Sequence, residues 1–393
     1  MSDPIRIERV PVKDLPALAD RLIDDAPAGS YVPISKARAY AQLHNPFADP
    51  DDLGLLLAWQ GQRVVGYFGV LRVMLAHQGA LHKVLWFTTW SAHPSMLGQG
   101  VGSGLMANAL ELPQDYAIVG SAPARHVSAK FGLQEVARLD YARIDFRLLG
   151  RYNPVGLFLR VLRKLFHLFG FKLKIEGWQK AFERLFEALF GWLVKPLLRA
   201  WALAPYRRDL DGMHIESVEQ VTPPAPEAPD PRRTYFYRDS RVVNWMLAHP
   251  WLVPSGSSPT EAMDYGFTDA RPFFEQIAWQ LSDSAGANLG YIVFQFSPID
   301  GVRMLKLLDH HLVGVAEGRQ LALALKLAHE LRADVIEGAM ALAALRERGG
   351  LGRLLVELRQ RICQVYAHAA DSPMARAKDS LEQSYVDGDT AFA

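Results

Sequence analysis

The sequence has little cysteine and almost no net charge, and its first residues give no reason to expect a secretory signal. Cys363 is its only cysteine among 393 residues, which excludes an internal disulfide and a multi-cysteine zinc site. Lys and Arg number 43 and Asp and Glu 42, so a net charge of +1 provides no overall field for nucleic acid. The first ten residues lack basic and apolar signal regions, and we expect a cytoplasmic protein of two domains.

The most informative segment is 81–113. An apolar, strand-like run from Leu81 to Trp90 leads through His93 and Pro94 into the glycine-rich stretch 97–104, which reads LGQGVGSG. Glycines between a strand and a helix let backbone N–H groups and the helix dipole approach a phosphate. The spacing is neither that of a nucleotide P-loop nor that of a dinucleotide fingerprint.

This segment resembles the pyrophosphate loop of the GNAT acyltransferases, whose motif Arg/Gln-x-x-Gly-x-Gly/Ala binds acetyl-CoA or a longer acyl-CoA. In the favoured register Leu97 stands at the basic position and Gly100 and Gly102 at the small positions, because the following residues then form an apolar helix face. A second register, Gln99-x-x-Gly102-x-Gly104, starts the helix two residues later. The resemblance implies an acyl-CoA site formed by Ser91, Leu97, Gly98, Gln99, Gly100, Val101, Gly102, Ser103 and Gly104.

The order of predicted elements also resembles the GNAT order, β-α-α-β-β-β-loop-α-β-α-β. Hydrophobic periodicity predicts strands at 5–10, 53–59, 64–75, 81–90, 116–120 and 136–146, and helices at 12–25, 35–43, 103–112 and 125–131. The stretch Lys130-Phe-Gly-Leu133 is similar to a Lys-Leu-Gly-Phe stretch of the family. Many GNAT enzymes carry a tyrosine four residues before that glycine, which protonates the departing CoA thiolate. Ser128 holds that position here, and the strand before the loop carries no acidic residue.

The chain beyond Arg208 predicts a second, degenerate GNAT-like copy. Strands are expected at 213–218, 275–282, 288–296, 302–310, 333–337 and 361–368, with helices at 319–331 and 341–348. The stretch Arg238–Trp245 resembles one found in bacterial proteins with two GNAT-like domains. We expect Trp245 to anchor the core and Asn244 to cap or bridge backbone. Without a glycine loop, this copy is not expected to bind CoA.

Two groups of residues in this second copy are candidates for catalysis. Asp309 and His310 could form a general base, because a carboxylate fixes the imidazole tautomer and raises its basicity; structural histidines at a strand end are the alternative. Metal binding is disfavoured, since adjacent strand residues point to opposite faces. The tail around Asp387 and Asp389 returns to apolar residues, so we expect it to be docked. These two carboxylates are candidate bases or substrate contacts, unless they only form a turn.

The segment 151–208 is basic, aromatic and amphipathic. It carries twelve basic and three acidic residues, a net charge of +9 that leaves −8 for the remaining chain. Its apolar runs are too short to span a bilayer. Two interpretations remain: helices that lie on an anionic membrane surface, on the inner face of the cell membrane, or a helical linker packed on both domains.

The sequence therefore predicts an α+β or α/β protein of two GNAT-like domains, each a mixed central sheet flanked by helices. The first spans 1–150 and the second 209–393, with 151–208 as an amphipathic helical segment between them. The expected function is transfer of an acyl group from acetyl-CoA, or a longer acyl-CoA, to an amine, without a metal. The acceptor would be a small molecule such as an amino sugar, or a lipid-linked envelope precursor.

Two other functions are weighed against this one. The chain could be a non-catalytic acyl-CoA sensor or scaffold that recruits a membrane-associated polysaccharide complex. A peptidyl transferase of the Fem type, which uses aminoacyl-tRNA, is disfavoured because the pyrophosphate of CoA explains the glycine loop and tRNA does not.

Overall fold

A computed structural model of the chain describes residues 3–147, 194–315 and 317–389. The first half has the element order that the GNAT resemblance implies. Its elements are β1 (Ile5–Pro11), α1 (Leu15–Asp24), α2 (Lys36–Leu43), β2 (Leu53–Gln60), β3 (Arg63–His77), β4 (Ala80–Ala92), α3 (Val101–Leu110), β5 (Tyr116–Val119), α4 (Ala122–Lys130) and β6 (Gln134–Asp145).

Helix α3 begins at Val101, two residues before the predicted start. Gly100 is its N-cap, so the helix starts where the favoured register of the glycine motif places it. Val101, Leu105 and Met106 are buried on the face that packs on the sheet. The predicted apolar spacing thus places the glycines at the amino end of the helix.

The second half repeats this order. Its elements are α5 (Lys195–Leu203), β7 (Met213–Val218), β8 (Thr234–Tyr237), α6 (Ser240–Ala248), β9 (Val253–Pro254), β10 (Ala270–Arg271), β11 (Glu275–Asp283), β12 (Asn288–Ile299), β13 (Val302–Leu312), α7 (Glu317–Glu330), β14 (Val335–Ala339), α8 (Gly350–Leu355), β15 (Val356–Tyr366), α9 (Pro373–Ala377) and β16 (Leu381–Glu382). The helix predicted at 341–348 is a 3-10 helix, Met340–Arg348. Strand β15 begins five residues before its predicted start.

The two halves share one sheet by exchanging their last strands. Its order is β1-β2-β3-β4-β5-β15-β6-β14-β13-β12-β11-β7. Strand β15 of the second half pairs with β5, and β6 of the first half pairs with β14. Each half therefore completes the sheet of the other.

The two halves also run in opposite directions. Strand β4 is parallel to β5, and β13 is parallel to β14. Between them, β15 is antiparallel to β5 and β6, and β6 is antiparallel to β14. The carboxyl ends of β4 and β13 consequently lie at opposite edges of the sheet.

One hydrophobic core contains residues of both halves, including Trp86, Trp245 and Tyr385. Trp245 is buried, and its indole N–H donates to the carbonyl of Ala41 at 2.8 Å. Asn244 bridges both backbone groups of Val221, at 2.7 and 3.1 Å. Both predicted roles in the Arg238–Trp245 stretch are confirmed.

Most of the segment 151–208 lies outside the described residues. Its described end forms α5, where Leu198 and Leu203 are buried in the core of the second half. Arg199 donates to the carbonyl of Ala333 at 2.7 Å, and Lys195 pairs with Asp334 at 2.7 Å. This part of the segment packs on the second half. Across 3–147, 194–315 and 317–389, we find no helix with the length and apolar character to span a bilayer.

Candidate functional site

The glycine loop leaves β4 and delivers the chain to α3. His93 caps a short 3-10 helix, Pro94–Met96, by accepting from the backbone N–H of Ser95. Gly98 and Gly100 follow with φ of 79° and 76°, in the left-handed region that glycine adopts without strain. No side chain caps α3, so the N–H groups of its first turn face outward at the positive end of the helix dipole.

Two further glycines bring α3 close to the sheet. A Cβ at Gly66 on β3 would lie 2.6 Å from Cγ1 of Val101 and 3.3 Å from Cδ1 of Leu105. A Cβ at Gly102 would lie 3.2 Å from the indole nitrogen of Trp90. The amino end of α3 is therefore held directly against β3 and β4.

The side chains around the loop are mostly neutral. Leu97, at the position of the family's basic residue, is 74% exposed. Arg63 contacts the segment that leads into the loop, and its Nη2 lies 2.7 Å from Nε2 of His93. An anion at this loop would be held chiefly by backbone N–H groups.

Strands β4 and β5 separate beside the loop. They pair only from Leu85 to Phe87, opposite Tyr116 to Ile118, whereas β4 continues to Ala92 paired with β3 alone. Beyond the last pair, Thr88 and Thr89 form a bulge opposite the single residue Gly69 of β3. This is where a GNAT fold opens its cleft.

Arg38 of α2 covers the bulge. It is 2% exposed, and it donates from Nη1 to Oγ1 of Thr89 at 2.7 Å and from Nη2 to Oγ1 of Thr88. A Cβ at Gly69 would lie 2.4 Å from Nη2 of Arg38, so the glycine makes room for the guanidinium. Arg38 also lies over the ring of Trp251, 4.4 Å from its centroid.

A cluster of aromatic residues from both halves surrounds Ser91 at the end of β4. The hydroxyl of Tyr31 hydrogen-bonds Oγ of Ser91 at 3.1 Å, and the ring of Tyr31 lies 5.5 Å from that of Tyr67. A Cβ at Gly266 would lie 2.9 Å from the hydroxyl of Tyr67. The second half therefore approaches the end of β4 closely.

The tail, residues 384–389, is docked on the protein and contacts residues of both halves. Tyr385, Val386 and Asp387 are buried, so the predicted docking is confirmed. Asp389 is half-buried and lines a cavity of about 60 Å³ with Arg38, Thr89 and other residues of both halves. Burial raises the pKa of Asp389, an effect that Arg38 opposes.

Asp387, two residues before Asp389, belongs to a buried ion-pair network around Arg238. Arg238 donates to Asp387 at 2.7 Å, to Asp309 at 2.8 Å and to the hydroxyl of Ser384 at 2.8 Å. Burial raises the pKa of Asp387 to about 6, against the attraction of Arg238. With both of its carboxylate oxygens engaged, Asp387 holds the tail in place.

The pairing of Asp309 with His310 as a general base is not found. Asp309 accepts from Arg238 and from the backbone N–H of His310, whereas the imidazole makes no hydrogen bond to Asp309. Adjacent residues of a strand point to opposite faces, which separates the two side chains. Burial lowers the pKa of His310. Both residues line a separate cavity of about 520 Å³ at the carboxyl end of β13, at the opposite edge of the sheet from the glycine loop.

Ser128 is fully buried in α4. Its hydroxyl lies 2.7 Å from Oε1 of Gln364 on β15 and 3.1 Å from the carbonyl of Arg125. The exchanged strand thus covers Ser128, the residue at the position of the family's tyrosine, and its hydroxyl is engaged in packing contacts. Within the three described ranges, no three His, Cys, Asp or Glu side chains cluster as metal ligands would.

Arg38 and Arg238 were not singled out from the sequence. Arg38 lies in a short amphipathic helix, where an arginine is typically solvated. Arg238 is part of the quoted stretch Arg238–Trp245, but its partners come from β13 and the tail. Neither contact has a local sequence signal.

No family model matches the chain, and no curated protein sequence matches it. Several solved structures are similar. A tandem GNAT protein from the clavulanic acid biosynthesis pathway is 15% identical with a TM-score of 0.45, and the match covers 94% of this chain and 100% of that one. N-myristoyltransferase of Saccharomyces cerevisiae, with bound myristoyl-CoA, is 11% identical with a TM-score of 0.45, over 92% and 78% of the two chains.

A GCN5-related N-acetyltransferase of Anabaena variabilis is 9% identical with a TM-score of 0.42, over 93% of this chain and 74% of that one. These likenesses are at the level of overall architecture. The strand order, the parallel β4–β5 and β13–β14 pairs and the glycine loop define a tandem GNAT-type fold for this chain.

Proposed function

We propose that the protein is an acyl-CoA-dependent N-acyltransferase whose reaction takes place in the first half. One observation carries the proposal: a glycine loop and an uncapped helix start lie beside the point where β4 and β5 separate. The loop would hold the pyrophosphate through the N–H groups of Gly98 to Ser103, and the gap between the strands would take the pantetheine arm.

The thioester would lie beside the bulge of β4. Main-chain donors from Thr88 to Ser91 would polarise its carbonyl, as preorganised dipoles do in acyl transfer. The cavity of about 60 Å³ beside Thr89 and Asp389 accommodates an acetyl group and not a long acyl chain. Acetyl-CoA is therefore the proposed donor.

Asp389 is the proposed general base, because it lines this cavity with Thr89 and because burial raises its pKa. The other carboxylate of the cavity, Asp269, accepts from the hydroxyl of Ser258 at 2.5 Å. The acceptor amine would give a proton to Asp389 and attack the carbonyl carbon. The C–N bond forms, the C–S bond breaks, and CoA leaves as a thiolate that takes up a proton.

The acceptor proposed is an amino sugar or a lipid-linked envelope precursor bearing an amine. The aromatic and basic composition of 151–208 supports a lipid-linked molecule over a small polar amine. The protein would then work at the inner face of the cell membrane.

A second function, an acyl-CoA sensor or scaffold without turnover, is favoured by the burial of Ser128. The family's tyrosine would protonate the thiolate from the position of Ser128. In this chain the hydroxyl of Ser128 is instead hydrogen-bonded to Gln364 and covered by β15. The two functions share the acyl-CoA site and differ in turnover.

Release of CoA thiol, measured with acetyl-CoA and a panel of amino sugars and long-chain amines, separates the two functions. We expect release that depends on one class of acceptor and rises with pH through the raised pKa of Asp389, because the base must be deprotonated. Asp389→Asn should lower kcat/KM about 10²–10⁴-fold and remove this pH limb. Acetyl-CoA binding with no acceptor-dependent release, in the wild type as in the variant, would favour the sensor.

A further inference from the structure

A second polar cavity, of about 420 Å³, lies where β6 ends and β15 begins. It contains none of the residues assigned to acyl transfer. Its walls come from β6, the 3-10 helix Met340–Arg348, α8 and β15. Four arginines dominate its lining: Arg143, Arg147, Arg346 and Arg359.

The four arginines outnumber the three carboxylates that lie near them. Asp145 and Glu357 line the cavity, and Glu337 lies behind it. Arg147 pairs with Asp145 at 2.7 Å and Arg359 pairs with Glu357 at 3.1 Å. Four arginines against these three carboxylates leave a local balance of +1.

Two of the guanidinium groups have unused donors. Arg346 is half-buried, and its side chain forms no hydrogen bond or ion pair within 3–147, 194–315 and 317–389. Arg143 is 14% exposed, its carboxylate contacts to Asp145 and Glu337 are long, at 3.9 and 3.8 Å, and its Nε is buried without a partner. Partly buried cationic donors without partners are costly, and a bound anion would satisfy them.

The rim of the same cavity is apolar. Leu354 and Leu358 are 43% and 45% exposed, which is high for leucine. Their position is fixed by Gly352, where a Cβ would lie 2.1 Å from the carbonyl oxygen of Leu345. This close approach seats α8 against the 3-10 helix and places the exposed Leu354 beside Arg346.

We propose that this cavity binds the phosphate headgroup of an anionic membrane lipid, with Leu354 and Leu358 entering the acyl boundary. Soluble phosphate esters share the headgroup chemistry, but they provide no reason for two exposed leucines at the rim. The chain also continues from Arg147 into 151–208, whose net charge of +9 would add to attraction by an anionic surface. The site is independent of acyl transfer.

Co-sedimentation of the full chain with vesicles tests this site. One set of vesicles contains equal parts of phosphatidylglycerol and phosphatidylcholine, and the other only phosphatidylcholine. We expect binding to the first set alone, weakened by salt. Arg346→Glu, which breaks no ion pair, should lower the partition on the order of tenfold, because each basic charge near such a surface contributes on the order of fivefold.

Leu354→Gln with Leu358→Gln should lower the partition severalfold. The matched control is Arg232→Glu, since Arg232 is 88% exposed and lies outside the cavity. Circular dichroism and Tm establish that each variant is folded. Binding by the cavity variants equal to that of the Arg232→Glu control would overturn the proposal and assign membrane attraction to 151–208.

A calorimetric titration with sn-glycerol 3-phosphate separates the two sources of phosphate. The wild type could bind this ester saturably, lose that binding in Arg346→Glu and show no binding to vesicles. This result would assign the cavity to a soluble ligand and overturn the proposal of a lipid headgroup. Equal binding to both sets of vesicles would overturn it as well.

Discussion

Gly388 is the residue at which the role of the tail can be tested most sharply. Its φ is +70°, and a Cβ there would lie 2.0 Å from the indole of Trp86, which is fully buried. A side chain at this position meets both backbone strain and a collision with the core. Gly388→Ala should therefore displace the end of the tail.

The size of the effect follows from these two contributions. A Cβ in the left-handed region costs about 1–2 kcal/mol, and overpacking a filled core costs about 1–3 kcal/mol. Two bonds hold the tail in place before Gly388 and oppose its displacement: Tyr385 to Glu337 at 2.6 Å and Arg238 to Asp387 at 2.7 Å. Because Trp86 is enclosed by the core, movement of Asp389 is the cheaper response.

Hydrogen exchange of the peptide covering 384–389 measures this displacement. A loss of about 2 kcal/mol corresponds to roughly thirtyfold faster exchange, with acyl transfer falling in parallel. Acetyl-CoA affinity should stay within about twofold, because the glycine loop is untouched. Gly256→Ala is the matched control, since Gly256 has φ +85° and open space around its Cβ position. Exchange and turnover equal to those of the control would refute the assigned role of the tail.

Three further substitutions test the packing around the site. Gly66→Ala should lower the free energy of unfolding by about 1–3 kcal/mol and weaken acetyl-CoA binding, because its Cβ would push Val101 at the start of α3; calorimetry and thermal unfolding measure both effects. Gly104→Ala meets only an ordinary contact of 3.5 Å and should stabilise α3 by up to about 1 kcal/mol. Ser128→Ala should cost about 1–2 kcal/mol, because Gln364 loses its partner, and leave turnover unchanged. A large loss of turnover in a stable Ser128→Ala protein would restore this residue as a proton donor.

The parts of the fold set by local pattern could be predicted from the sequence. Alternation and 3.6-residue periodicity indicated most of the strands and helices of both halves, although α3 begins two residues before its predicted start. The roles of Asn244 and Trp245 were also assigned correctly, although their partners Val221 and Ala41 are distant in the sequence.

The parts set by pairing over long distances could not be predicted. Strands β6 and β15 each read as the last strand of its own half, and nothing in their alternation encodes that they are exchanged. This exchange buries Ser128 under Gln364. It also reverses the second half, which places Asp309 and His310 at the edge away from the glycine loop.

The most direct test of an acyl-CoA site at the glycine loop is calorimetric titration with acetyl-CoA and with a long-chain acyl-CoA. Ser103→Glu adds a charge in the exposed first turn of α3, where a carboxylate stabilises the helix by about 0.3–1 kcal/mol but repels a pyrophosphate by about 1–2 kcal/mol. Ala107→Glu adds the same charge one turn further along.

We predict that the wild type binds acetyl-CoA, that Ser103→Glu binds it about tenfold more weakly without loss of Tm, and that Ala107→Glu differs little from the wild type. Failure of the wild type to bind either ligand would contradict the account. Equal affinities in the wild type and both folded variants would do so too, because the ligand would then bind elsewhere.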